Sequence, residues 1–165
     1  MDLTSIISAL TGNNIIGEIS KKFNIDNSKI LNVIKAAIPK FISAMQKNAS
    51  TASGAAALTQ ALSDHSGKPF SIDIADGSKI LSKIFGSNLS SVISGLSTQT
   101  STTNDQVSNI LASIAPSLLS ALGKNNASAG GNIGNVLGSL LGSGSNSASG
   151  AGKVIGGLLG KMIKK

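Results

Sequence analysis

The chain has no cysteine, no arginine, no tryptophan and no tyrosine. Without cysteine it can form neither disulfides nor thiolate metal sites, and its redox compartment is left open beyond compatibility with a reducing cytosol. Without arginine all positive charge sits on lysine, which meets phosphate as a point charge and lacks the fork that reads base edges. Aromatic residues are 2% of the chain and all are Phe. A core must therefore be aliphatic and alanine-rich, and no base-stacking platform is available. These absences argue against nucleic acid as a partner even at a formal net charge of +7. No uncharged apolar run approaches the roughly 20 residues that cross a bilayer as a helix, so no transmembrane span is expected. The stretch from Met1 to Leu10 lacks the basic start and long apolar core of a secretory signal, so a cytoplasmic location is expected.

What is present is helical periodicity. Ile30, Val33, Ile34, Ala37, Ile38, Phe41, Ile42 and Met45 form the apolar stripe of one long amphipathic helix, and its phase passes unbroken through Pro39. The pattern returns 77 positions later as Val107, Ile110, Leu111, Ile114, Ala115, Leu118, Leu119 and Leu122, with Pro116 where Pro39 stood. A proline in a helix interior costs about 3 kcal/mol relative to alanine. The same cost at the same phase in both stretches argues for a duplicated unit whose long helices are kinked at proline.

Shorter stripes fill the rest of the chain. Leu3, Ile6, Ile7 and Leu10 predict a helix ended by Thr11-Gly12, and Ile15, Ile16, Ile19 and Phe23 predict a second. Asp26 is placed to cap the first long helix, and Thr103, with Gln106 three residues on, to cap the second through a capping box. Ala57, Leu58, Ala61 and Leu62 mark a further helix closed by Asp64-His65-Ser66-Gly67. From Lys68 to Asp76 a loop is expected, because the alternation Phe70-Ser71-Ile72-Asp73-Ile74 has no partner strand. A short helix with Ile80, Leu81, Ile84 and Phe85 on one face is expected to start at Gly77-Ser78 and end at Gly86. The next, with Leu89, Val92, Ile93 and Leu96, is expected to be capped by Ser87. The second long helix is expected to stop at Gly123, as a left-handed C′ residue.

Beyond Asn125 the composition shifts to Gly, Ser, Asn and Ala. Two related segments interrupt it 18 positions apart, Gly134-Asn-Val-Leu-Gly138-Ser-Leu-Leu-Gly142 and Gly152-Lys-Val-Ile-Gly156-Gly-Leu-Leu-Gly160. The first stands where the Leu58/Leu62 helix stands in the earlier half, so the tail reads as an added repeat of the unit's last element.

Four features together resemble the bacterial YidB-like family, a domain of unknown function. They are the Ala37-Ile-Pro39-Lys-Phe41 helix, the Leu62-Ser-Asp-His65-Ser-Gly67 turn, the Gly77-Ser-Lys-Ile-Leu-Ser-Lys-Ile-Phe-Gly86 segment and the helix through Pro116. The likeness spans about residues 15 to 142 and implies an all-α fold with no assigned enzymatic chemistry. The glycine-rich, lysine-tipped end departs from it.

Catalytic constellations are weak. His65 is the one histidine and adjoins Asp64, but it lacks the further ligands or nucleophile that metal or acid/base chemistry needs, and it reads as a structural turn residue. The acidic residues are scattered, Gly142-Ser-Gly144-Ser imitates a nucleophile elbow only inside a linker, and no Gly-Lys-Ser/Thr completes a phosphate loop.

The glycine rows carry more information. In a helix Gly134, Gly138 and Gly142 line one face while Val136, Leu137, Leu140 and Leu141 crowd the other, and Gly152, Gly156 and Gly160 repeat this. Each interior glycine costs about 1 kcal/mol against alanine, so such segments either need a partner whose backbone approaches closely or, for the first of them, read equally as a flexible linker. In the tail, Leu158 and Leu159 join Val154, Ile155, Met162 and Ile163 on one half of the wheel, against Gly and Lys153, Lys161, Lys164 and Lys165. That is the profile of an interfacial helix.

The expected architecture is all-α: a single multi-helix bundle built from a duplicated helical unit, followed by a Gly-rich C-terminal amphipathic helix. The domain is expected to span residues 1–142, with units at about 15–67 and 89–142, then a flexible linker at 143–151 and the basic helix at 152–165. No catalytic residue, cofactor or metal is expected. The expected role is a non-enzymatic structural or protein-interaction module that self-associates or docks a protein partner through the Gly-rich helix. The alternative is attachment to an anionic membrane surface through the basic helix.

Overall fold

The computed structural model describes residues 3–12, 14–128 and 133–143. These form eight α-helices: α1 (Leu3–Thr11), α2 (Ile15–Phe23), α3 (Asn27–Ala49), α4 (Ala52–His65), α5 (Ile74–Phe85), α6 (Leu89–Thr100), α7 (Asn104–Ser128) and α8 (Ile133–Ser143). A 3₁₀ turn, Gly86–Asn88, joins α5 to α6. Among the described residues there is no strand, and the fold is an all-α bundle.

The two long stripes build the interior. All sixteen of their apolar side chains are buried, none more than 1% exposed. α3 and α7 pack on each other, and each of the other helices touches both. Both helices run continuously through their prolines. Since proline has no N–H, the carbonyls of Lys35 and Ala112 lose their i+4 donors. Phe41 meets Phe85 edge to face with ring centroids 5.0 Å apart, the one aromatic pair among the described residues.

The entrances to the long helices correspond closely. α3 starts at Asn27 and α7 at Asn104, 77 positions apart. Just before them Asn24 (φ 53°, ψ 49°) and Ser101 (φ 52°, ψ 44°) both adopt the left-handed conformation. The N–H of Ile25 donates to Ser20 O at 3.3 Å and that of Thr102 to Ser97 O at 3.1 Å, so both preceding helices end in the same Schellman-type corner. The caps then differ. Thr103 and Gln106 form the reciprocal capping box, with Thr103 Oγ1 accepting from Gln106 N–H at 3.2 Å and Gln106 Oε1 accepting from Thr103 N–H at 3.3 Å. Asp26 occupies the N-cap position of α3 but its side chain makes no cap hydrogen bond.

Several boundaries depart from the sequence expectation. α5 starts at Ile74 rather than Gly77, because Asp73 caps it by accepting from Asp76 N–H at 3.0 Å. Ser87 caps nothing: it sits in the 3₁₀ turn, and Asn88 takes the N-cap position of α6 without a side-chain bond. α7 does not stop at Gly123 but runs on to Ser128. Gly123 serves packing instead, since a Cβ there would lie 2.5 Å from Leu62 O and 3.1 Å from Ser66 Cβ where α4 crosses α7. The 21-residue stretch Asn104–Lys124 of α7 does reach the length and mean hydropathy (1.2) of a membrane span, contrary to expectation. Its most apolar window is 67% buried inside the protein, which is how a core helix satisfies the same statistics.

Candidate functional site

α4 and α5 both lie on α7 but do not pack on each other. The space between them is a cleft of about 390 Å³. Leu58 of α4, Ile80 and Ile84 of α5, and Leu119 of α7 give it an apolar floor, and Lys79 and Lys83 stand on its α5 wall. Two polar ties border it, one from α3 to α5 and one from α4 to α5. Asn48, near the end of α3, donates through Nδ2 to Ile84 O at 2.8 Å. On α4, His65 places Nδ1 2.8 Å from Ala61 O and Nε2 2.8 Å from Asp76 Oδ2 of α5.

Both neighbours of the His65 ring are acceptors. The contact with Asp76 joins a histidine side chain that is 13% exposed to an aspartate that is 41% exposed. Asp64, adjacent in sequence, is not the partner; its Oδ1 accepts from Gln60 Nε2 at 2.9 Å. Beside the pair a hollow of about 150 Å³ is lined by His65, Asp76, Pro116 and Ser117. The buried Ser117 hydroxyl has no partner among the described residues. Among the described residues no group of three or more His, Asp or Glu side chains could share a metal ion. The arrangement works as a strut between two helices over an apolar floor.

The glycine row singled out from the sequence lies elsewhere. On α8 the apolar side chains of Ile133, Val136 and Leu137 are buried, while Gly134 and Gly138 are exposed. No described residue lies within 4 Å of where a Cβ on Gly138 would be. Gly142 falls in the last turn of α8. Gly152, Lys153, Gly156, Leu158, Leu159, Gly160, Lys161, Lys164 and Lys165 lie outside the described residues. Sequence reading missed the cleft. The i, i+4 pair of Lys79 and Lys83 flanking Ile80 and Ile84 was a local signal for one wall, but nothing local ties His65 to a carboxylate eleven residues on.

No curated protein and no solved structure matches the chain. A family model described as "Bacterial protein of unknown function (DUF937)" matches residues 5–125. The match takes in α1, which the sequence resemblance had omitted, and stops before α8, so the exposed glycine face is outside it. With most of its helices inside that match, the chain belongs to the DUF937 family of bacterial proteins, the family of YidB-like domains.

Proposed function

We propose that this is a non-enzymatic structural or protein-interaction module of the cytoplasm, built by duplication and self-associating through its glycine-rich C-terminal elements. Duplication is supported by the matched corners and stripes of α3 and α7, and also by the first helices: Ile6, Ile7, Leu10 and Gly12 of α1 and its end recur 74 positions later as Ile80, Leu81, Ile84 and Gly86. On that correspondence one unit is α1–α4 and the other α5–α8.

The observation that carries self-association is the outward glycine face of α8. Gly138 weakens the helix interior by about 1 kcal/mol relative to alanine, yet no described residue uses the close approach that it permits. The related tail segment Gly152 to Gly160 of a second copy supplies a matching glycine row. Light scattering on the full chain and on residues 1–143 tests this. A multimer that becomes a monomer on truncation supports the reading, and a monomer in both forms removes it.

A second reading rests on the tail's basic amphipathic pattern, which suits an anionic membrane surface. It predicts co-sedimentation with anionic vesicles at low salt that residues 1–143 do not show. Equal sedimentation of both forms would end it.

A further inference from the structure

We infer that the seat of α8 on the bundle accepts either of two copies of the same segment, so that the chain's own tail, residues 151–162, exchanges with α8 there. α8 rests chiefly on α3 and also touches α1, α4 and α7. It buries Ile133, Val136 and Leu137, the last completely, and leaves Gly134, Gly138 and Ser139 exposed. What the seat selects is therefore a short apolar face on a helix whose other side is small.

The tail repeats that face. Of the nine positions from Gly134 to Gly142, six are identical eighteen residues on, and Leu137 becomes Ile155. Two positions differ in kind, Asn135 against Lys153 and Ser139 against Gly157. Lys153 stands two residues before Ile155, which puts the two on opposite sides of a helix and keeps the charge out of the seat. Position 139 is exposed in α8. Ala151 offers the seat less than Ile133 at one end, while Met162 continues the apolar stripe one turn past Leu158 at the other. Two small terms favour α8. Gly157 makes the tail the weaker helix, and four residues separate Ser128 from α8 against twenty-two from Ala151. Loop-closure entropy grows only with the logarithm of that length, so the two seatings lie close in free energy. The exchange changes what is left outside. With α8 seated, the other copy carries Lys153, Lys161, Lys164 and Lys165; with the tail seated, it is the uncharged Ile133–Ser143. The seat thus decides whether a basic or a neutral segment is offered to a partner. The inference concerns the apolar side of both copies and is independent of how the glycine face of α8 is used.

The test uses three full-length variants, followed by thermal unfolding and amide hydrogen exchange: Val136→Asp with Leu137→Asp, Val154→Asp with Ile155→Asp, and all four substitutions together. The α8 pair alone should lower the midpoint by no more than about 3 °C, because the tail takes the seat, and the tail pair alone should leave it unchanged. All four together should lower it by about 10 °C. In the α8 pair, slow exchange should appear over residues 153–160 and be lost from 134–142. A loss in the α8 pair equal to that of all four together would overturn the inference. So would three midpoints equal to that of the unsubstituted chain, or exchange over 153–160 in the α8 pair as fast as in an unfolded peptide. A rescue that disappears on dilution would overturn it too, since the tail in the seat would then belong to a second copy.

Discussion

Gly77 of α5 lies directly on the main chain of Ala112 in α7, at the carbonyl that Pro116 deprives of its helical N–H partner. A Cβ at position 77 would overlap that carbonyl oxygen, its carbon and the Ala112 Cα, all of them backbone atoms that cannot swing aside. α5 and α7 form the most extensive helix pair in the bundle, and this close approach sits within it.

Gly77→Ala should therefore destabilise the protein by about 1–3 kcal/mol, the usual cost of overpacking, even though alanine is the better helix former. Gly95→Ala in α6 is the control, because no described residue lies within 4 Å of its Cβ position. It should stabilise by about 0.5–1 kcal/mol. Urea unfolding of both variants measures the contrast, and equal effects would contradict the packing.

This relationship also marks where sequence reading stopped. The stripes of α3 and α7 were legible because burial repeats with the helical period, and the Thr103/Gln106 box because its partners are three residues apart. Gly77 and Gly123 read locally as a helix start and a helix end, and the structure makes them neither. Local propensity treats glycine as punctuation, while here it serves contacts with Ala112 and Leu62, distant in sequence. The His65–Asp76 tie was hidden for the same reason: it exists only once the Lys68–Asp73 loop has brought α5 back beside α4.

The two long-helix caps should respond differently. Thr103→Ala removes a hydrogen-bonded cap and should cost about 1 kcal/mol. Asp26→Ala removes a side chain that makes no cap bond, so its cost should be clearly smaller. Thermal denaturation of the two variants side by side decides this, and a larger loss at Asp26 would show that the two entrances are stabilised in another way.

His65 and Asp76 should be energetically coupled. A double-mutant cycle with His65→Ala and Asp76→Ala should give a coupling of about 1 kcal/mol, the low end for a charge-assisted bond because the carboxylate is part exposed. Simple additivity would mean that the strut contributes nothing. His65→Ala with Asp64→Ala should be additive, because Asp64 bonds Gln60 instead.

Filling of the core should be costly to disturb. Phe41 is 0% exposed and meets Phe85 edge to face, so Phe41→Ala should cost about 3–5 kcal/mol. The equivalent Leu118→Ala, also 0% exposed, should cost about 2–5 kcal/mol. Denaturant midpoints measure both, and a mild effect at either position would mean that the stripe there is not closely packed.

The proposal that the exposed glycine face of α8 is an assembly surface is tested most directly by light scattering on the full chain carrying Gly134→Gln and Gly138→Gln. Glutamine favours the helix over glycine but blocks close backbone approach, so the helix itself should be strengthened. The expected result is a fall from a multimeric to a monomeric mass with no loss of thermal stability. An unchanged multimeric mass in the substituted chain would contradict it.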